Sequence, residues 1–136
     1  MKLPIPSCLR RLAIAATCLI PALAGAQPAY VDSVTATAQP TRYTGACPGV
    51  IHFAGAIFVH EPATVTYRWE RSDDVVTPPK TIYIAHGSKR VETSWRLGKP
   101  GKAVRGSERL RVLSPGDAYS GEASFTVACG GPPDSR

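Results

Sequence analysis

From residue 30 onward, apolar and polar side chains take turns along the chain. In Tyr30–Gln39, Val34, Ala36 and Ala38 share one side, and Pro40 ends the run. Val50–Val59 sets Ile51, Phe53, Ile57 and Val59 on one face, and Gly55 invites a bulge or a close neighbour. The clearest alternation is Thr64–Arg71, where Val65, Tyr67 and Trp69 point one way and Thr66, Arg68 and Glu70 the other. Lys80–Ala85 is a short run. Arg90–Leu97 alternates Val91, Thr93, Trp95 and Leu97 against Glu92, Ser94 and Arg96. Glu108–Leu113 turns Leu110 and Val112 inward, and Glu122–Cys129 does the same with Ala123, Phe125, Val127 and Cys129. A period of two predicts strands with one buried face. Between these runs, Gly, Pro, Asp and Ser recur at turn spacing, as in Thr44–Gly49, Asp73-Asp74, Pro78-Pro79, Gly98–Gly106 and Ser114–Asp117.

Seven short strands with one apolar face each must pair those faces across two layers. The expected fold is all-β: an immunoglobulin-like β-sandwich of about seven antiparallel strands, with a small barrel as the alternative. Phe53, Tyr67, Trp69, Trp95, Leu110 and Phe125 are expected in the core, with the two tryptophans between the sheets.

The first 26 residues read differently. Lys2, Arg10 and Arg11 precede an apolar run from Leu12 to Leu23, and Ala24-Gly25-Ala26 supplies the small residues a signal peptidase requires. Residues 1–26 are therefore expected to be a cleaved secretory signal peptide, residues 27–130 the sandwich, and 131–136 a flexible tail. The apolar run is too short to span a bilayer, so no transmembrane anchor is expected after processing. Neither Cys18 as a lipidation site nor Arg10-Arg11 as a twin-arginine signal has matching neighbours. The chain carries 16 Lys+Arg and 10 Asp+Glu; without the three basic residues of the signal, the charge is 13 minus 10, or +3. A charge of that size favours solubility and does not point to nucleic acid.

Of four cysteines, Cys8 and Cys18 fall in the signal. Cys47 and Cys129 remain, and in an oxidising compartment they are expected to form a disulfide. Chain entropy assigns a bridge over residues 47–129 about 4.5 kcal/mol, with real values often lower.

Tyr43–Pro48, Phe53–Ile57, Val65–Asp73, Ser94–Gly98 and Ala123–Cys129 together resemble a small immunoglobulin-like domain of secreted bacterial proteins of uncharacterised role. The resemblance covers nearly all of the chain after the signal. It implies a fold and carries no catalytic or cofactor residues with it, since its motifs are core and turn positions. Antibody-type domains match less well. Cys47 precedes the second predicted strand, and Val127 stands where such domains place a tyrosine. The expected bridge pins the first loop to the last strand near one end of the sandwich.

Candidate chemistry is sparse. His52, His60 and His86 are scattered, and no thiols remain for a metal, so no metal ligands and no cofactor are expected. Ser72 beside Asp73 and Asp74, and Ser114–Asp117, are better read as turns than as acid–base sites. No nucleophile elbow or glycine-rich phosphate loop is present, and no catalytic residues are assigned. Residues 89–111 hold eight basic and two acidic side chains, a balance of +6. Arg96, Lys99, Lys102, Arg105, Arg109 and Arg111 are the candidate anion-facing patch, although a solvated, aggregation-resistant sheet edge is the preferred reading. Nucleic acid is disfavoured because the stretch has one aromatic, Trp95, on the core face.

The expected function is a non-enzymatic binding module, periplasmic or secreted, that meets an unknown protein, glycan or anionic envelope component through long loops. One alternative is an accessory subunit of an envelope assembly, docking by the edge strand Tyr30–Gln39. The other is a small hydrolase or metal-dependent enzyme with a site drawn from distant residues.

Overall fold

The computed structural model describes residues 30–130. The expected signal peptide and C-terminal tail lie outside the described residues. Nine strands follow in chain order: β1 Val31–Gln39, β2 Arg42–Gly45, β3 Gly49–Val59, β4 Ala63–Arg71, β5 Lys80–Ile84, β6 Gly87–Leu97, β7 Ala103–Ser114, β8 Ala118–Tyr119 and β9 Ala123–Cys129. A three-stranded sheet runs β1-β3-β6. The larger sheet runs β2-β9-β7-β4-β5, with β8 pairing β7. Among the described residues no helix is long and apolar enough to cross a membrane.

The two sheets face each other as an immunoglobulin-like sandwich. Their inner faces are the alternating apolar sets, which pack into one buried cluster. Phe53, Tyr67, Trp69, Trp95, Leu110 and Phe125 all lie in it. Phe125 of the larger sheet meets Trp95 edge-on at 5.3 Å between ring centroids and Phe53 at 5.7 Å, both from the smaller sheet. Burying each such ring is worth about 2–3 kcal/mol, and the edge-on geometry adds roughly 1 kcal/mol per pair. Gly55 is the close-neighbour case. Its pairing to Ala36 and Val91 is unbroken. A Cβ there would lie 2.6 Å from Leu110 Cδ2 and 3.0 Å from the Trp69 ring, so glycine lets the two inner faces close.

Four features depart from the sequence pattern. Arg42–Gly45, of which Thr44 and Gly45 were expected in a turn-rich link, is the strand β2, and it pairs parallel to β9 from Arg42↔Thr126 to Gly45↔Cys129. The sandwich is therefore not purely antiparallel. β7 starts at Ala103 rather than Glu108, because Ala103–Ser107 pairs with Ser124–Ala128 of β9. β6 begins at Gly87, paired to Val59. β8 is a two-residue strand on β7. Each is created by a distant partner rather than by local alternation.

Pro40, which cannot donate to a ladder, divides the first segment. β1 stays antiparallel on β3, and the chain crosses to the other layer as β2. At one pole Cys47 and Cys129 form a disulfide, with Cα atoms 5.4 Å apart. It ties the β2–β3 turn to the end of β9, at an end of the sandwich rather than through its centre. Gly98, at φ +112°, lies against the sulfurs; a Cβ there would come within 2.6 Å of Cys129 Sγ and 2.7 Å of Cys47 Sγ. The Gly130 amide donates to the Gly45 carbonyl (2.7 Å), and the Tyr43 hydroxyl to the Ala46 carbonyl (2.6 Å), so this pole is cross-tied.

Candidate functional site

The outward side chains of the larger sheet form a polar face with two halves. On the first half, register places Arg68 of β4 beside Arg111 of β7, and Glu70 beside Arg109. Glu70 sits among all three arginines. Arg68 donates to Oε2 from Nε (3.0 Å) and Nη2 (2.7 Å), Arg109 to Oε1 from Nε (3.2 Å) and Nη2 (3.0 Å), and Arg111 Nη1 to Oε2 (3.3 Å). Arg111 also pairs with Asp117 through two bonds of 2.9 and 3.1 Å. The Tyr119 ring underlies Arg109 at 4.3 Å and Arg111 at 4.8 Å. The Glu70 side chain is 11% exposed. Burial pulls its carboxyl upward, but the arginine hydrogen bonds together outweigh burial and hold it below its ordinary value. Asp117 is likewise held low by Arg111.

The second half is built by β2, β9 and β7. Thr126 of β9 pairs with Arg42 on one side and Arg105 on the other, so an arginine–threonine–arginine row crosses three strands. At roughly 4.8 Å per strand, the two arginine Cα atoms stand roughly 10 Å apart. In the next row Ser124 pairs with Ser107. Ser72 closes the wall: its amide donates to the Ser107 carbonyl (2.9 Å), and its Oγ accepts from the Ser107 amide (3.0 Å). These side chains line a shallow hollow of about 600 Å³. It continues past Ser72 and Ser107 into a hollow of about 340 Å³ flanked by Glu70, Arg109 and Glu122. Beyond Arg42 and Arg105 it meets a third of about 290 Å³ at Thr44, Ala103 and Ala128. Among the described residues, neither Arg42 nor Arg105 forms an ion pair.

Beneath the border of the two halves lies Glu108. It shares inward parity with Leu110 and Val112, is 1% exposed, and its Oε2 has no hydrogen-bond partner. Burial pushes its carboxyl up to about 7; Arg71, opposite it in register, opposes this, and Asp73 adds to it. Arg71 itself lies over the Trp95 ring at 3.9 Å and bonds Asp73.

The basic residues expected on one patch are dispersed. Arg96 projects from the smaller sheet, next to inward Trp95. Lys99 and Lys102 lie in the turn between β6 and β7, at the disulfide pole. Arg105 enters the hollow, while Arg109 and Arg111 are occupied by Glu70 and Asp117. The partner of Arg105 is Arg42, some sixty positions earlier; only the parallel pairing of β2 brings them together. No local pattern marks Arg42, whereas the parity of Glu108 with Leu110 was a readable signal for its burial. Among the described residues no group of His, Cys, Asp and Glu converges to hold a metal ion.

The chain is thus an immunoglobulin-like β-sandwich with a polar, arginine-bearing outer sheet. It is similar in structure to the CARDB domain of a Pyrococcus furiosus protein, solved in complex with di-metal ions. That likeness has a TM-score of 0.53 at 11% identity and covers 76% of this chain and 96% of that domain. It is also similar to the alkylpurine DNA glycosylase AlkC of Pseudomonas fluorescens, solved bound to DNA containing an abasic site analog. There the TM-score is 0.52 at 11% identity, over 71% of this chain and 30% of the glycosylase. At such identities the likeness is one of fold. No family model and no curated protein matches the sequence.

Proposed function

We propose that this chain is an exported, non-enzymatic interaction module whose recognition surface is the outer face of its larger sheet. The observation that carries the reading is the row Arg42–Thr126–Arg105, two guanidiniums without carboxylate partners among the described residues, flanking a hydroxyl in an open hollow. Export is supported by the character of residues 1–26 and by a disulfide of the kind that persists in oxidising compartments. A binding role is favoured over catalysis because no serine or threonine hydroxyl of the hollow is hydrogen-bonded to a histidine or carboxylate among the described residues.

The loops are shorter than the sequence led one to expect. The connections between strands are short, and the longest, residues 72–79, is held by Asp73 and by backbone bonds from Arg71 and Thr77. The rigid sheet face presents the side chains instead. The test is co-sedimentation of the full chain, purified from an exporting host, with isolated cell-envelope fractions. Wild type should sediment with the envelope, Arg42→Ala/Arg105→Ala should stay in solution, and the purified protein should begin at Gln27. An unretained wild type, equal retention of the variant, or an uncleaved N-terminus each counts against the reading.

A further inference from the structure

Resting on that reading of the outer face, we propose that the hollow binds a linear acidic polysaccharide whose carboxylates are spaced by neutral sugars, one carboxylate sitting over Thr126 between Arg42 and Arg105. Four observations lead there. The row offers two guanidiniums, groups whose planar forks match a carboxylate with two bonds each, and a hydroxyl between them. The neighbouring positions are hydroxyls, Ser72, Ser107 and Ser124, which suit the many donors and acceptors of a sugar. Of the exposed large apolar side chains, Tyr30, Phe58, Val75, Tyr83 and Tyr119 lie outside all three hollows, and Val76 and Val104 line only the two flanking ones, so the arginine row itself lacks the anchors on which a protein partner would depend. The three hollows join along β9 from Glu122 to Ala128, roughly 20 Å at strand rise, which is the form of a site for a chain molecule.

The far end of the same trough sets the spacing of charge on the ligand. Glu70, Asp74 and Glu122 line it, and Arg109 there is already bonded to Glu70. A polymer with an acid on every unit would meet these carboxylates. One with neutral units between its acids places hydroxyls there and its carboxylate at the arginine pair. This polarity separates the proposed ligand from a dense polyanion.

Calorimetry on the full purified chain decides it, with four probes: hyaluronan oligosaccharide, which alternates a uronate with a neutral amino sugar, densely sulfated heparin oligosaccharide, neutral dextran, and poly-L-glutamate. Hyaluronan should bind saturably and in preference to the other three. Arg42→Ala and Arg105→Ala should each weaken it roughly tenfold, as loss of a charged hydrogen-bond donor does. Arg42→Lys/Arg105→Lys, which keeps the charge and loses the fork, should weaken it as well. Lys99→Ala/Lys102→Ala, outside the hollow, should leave it unchanged. Absence of hyaluronan binding, tighter binding of heparin or poly-L-glutamate, or full retention of binding in the double lysine variant overturns the proposal. Thermal melting of each variant checks that the fold is intact. Should the envelope co-sedimentation depend on Arg42 and Arg105 while hyaluronan does not bind, the ligand class falls and the recognition surface stands.

Discussion

On the β4–β7 half of the outer face, Arg68, Arg109 and Arg111 surround Glu70; on the β2–β9 half, Arg42 and Arg105 have only hydroxyls between them. The residue type and the sheet are shared, while Arg42 and Arg105 are exposed and the other three arginines half-buried. The halves differ above all in where the carboxylates fall. Three guanidiniums around one largely buried acid form a structural tie, since the acid is desolvated and each arginine donates to it. The two guanidiniums of the other half have no acid in their row and form no ion pair among the described residues. A count of basic residues would rank the first half higher; the pairing register reverses that order.

The comparison can be broken most severely at the pole. Cys129→Ser removes the bridge that holds β2 to β9, with an entropic ceiling of about 4.5 kcal/mol and an expected loss of about 3 kcal/mol in urea denaturation. Because β2 is four residues long and carries Arg42, the β2–β9 half should lose its ligand before the β4–β7 half loosens. Hydrogen exchange in the variant should show β2 opening first.

Glu70→Gln attacks the other half. It takes the charge from a tie that three arginines share and should cost about 2 kcal/mol, which for a domain of this size lowers the melting temperature by roughly 10 °C. The same substitution takes the anionic partner from Arg68 and Arg109, while Arg111 keeps Asp117, so heparin oligosaccharide should bind the variant more tightly than wild type. Unchanged heparin binding would show that carboxylate placement does not distinguish the halves.

Glu108, under the border, supplies a pH handle. Its folded carboxyl lies near 7 against an ordinary 4.5. The folded protein thus holds the proton more tightly than the unfolded chain. The stability this provides is complete below about pH 4.5, declines as pH rises and is gone above about pH 7. A loss of at most about 3 kcal/mol across that window is expected, and Glu108→Gln should flatten it. The smallest effects on stability belong to Arg42→Ala and Arg105→Ala, which as unpaired surface changes should shift it by less than about 0.5 kcal/mol while each weakens hyaluronan binding roughly tenfold.

Much of the sandwich was legible in the chain. Val65-Thr66-Tyr67-Arg68-Trp69 announces both its strand and its buried face, because period two and burial coincide there. The disulfide was legible from cysteine number once Cys8 and Cys18 were assigned to the signal. β2 was not, because Arg42-Tyr43-Thr44-Gly45 has no alternation of its own and exists through its pairing with β9. Ala103–Ser107 reads as a loop for the same reason: Arg105, Gly106 and Ser107 are loop-like residues locally and strand residues only beside Ser124–Ala128. The candidate site suffered most. Arg105 stood in the basic segment, but Arg42 is far away in sequence, and the neutralisation of Arg109 and Arg111 by Glu70 depends on register, which no single segment encodes.

The covalent link at the pole also governs how this domain bears tension. A tug applied at residues 30 and 130 travels from the start of β1 to Cys47, crosses to Cys129 and leaves at once. The strands from β3 to the end of β9 are bypassed. Tethered at its two ends, the domain can surrender only β1, β2 and the turn after them, roughly 60 Å of chain at full stretch, while the buried cluster and most of the outer face carry no load.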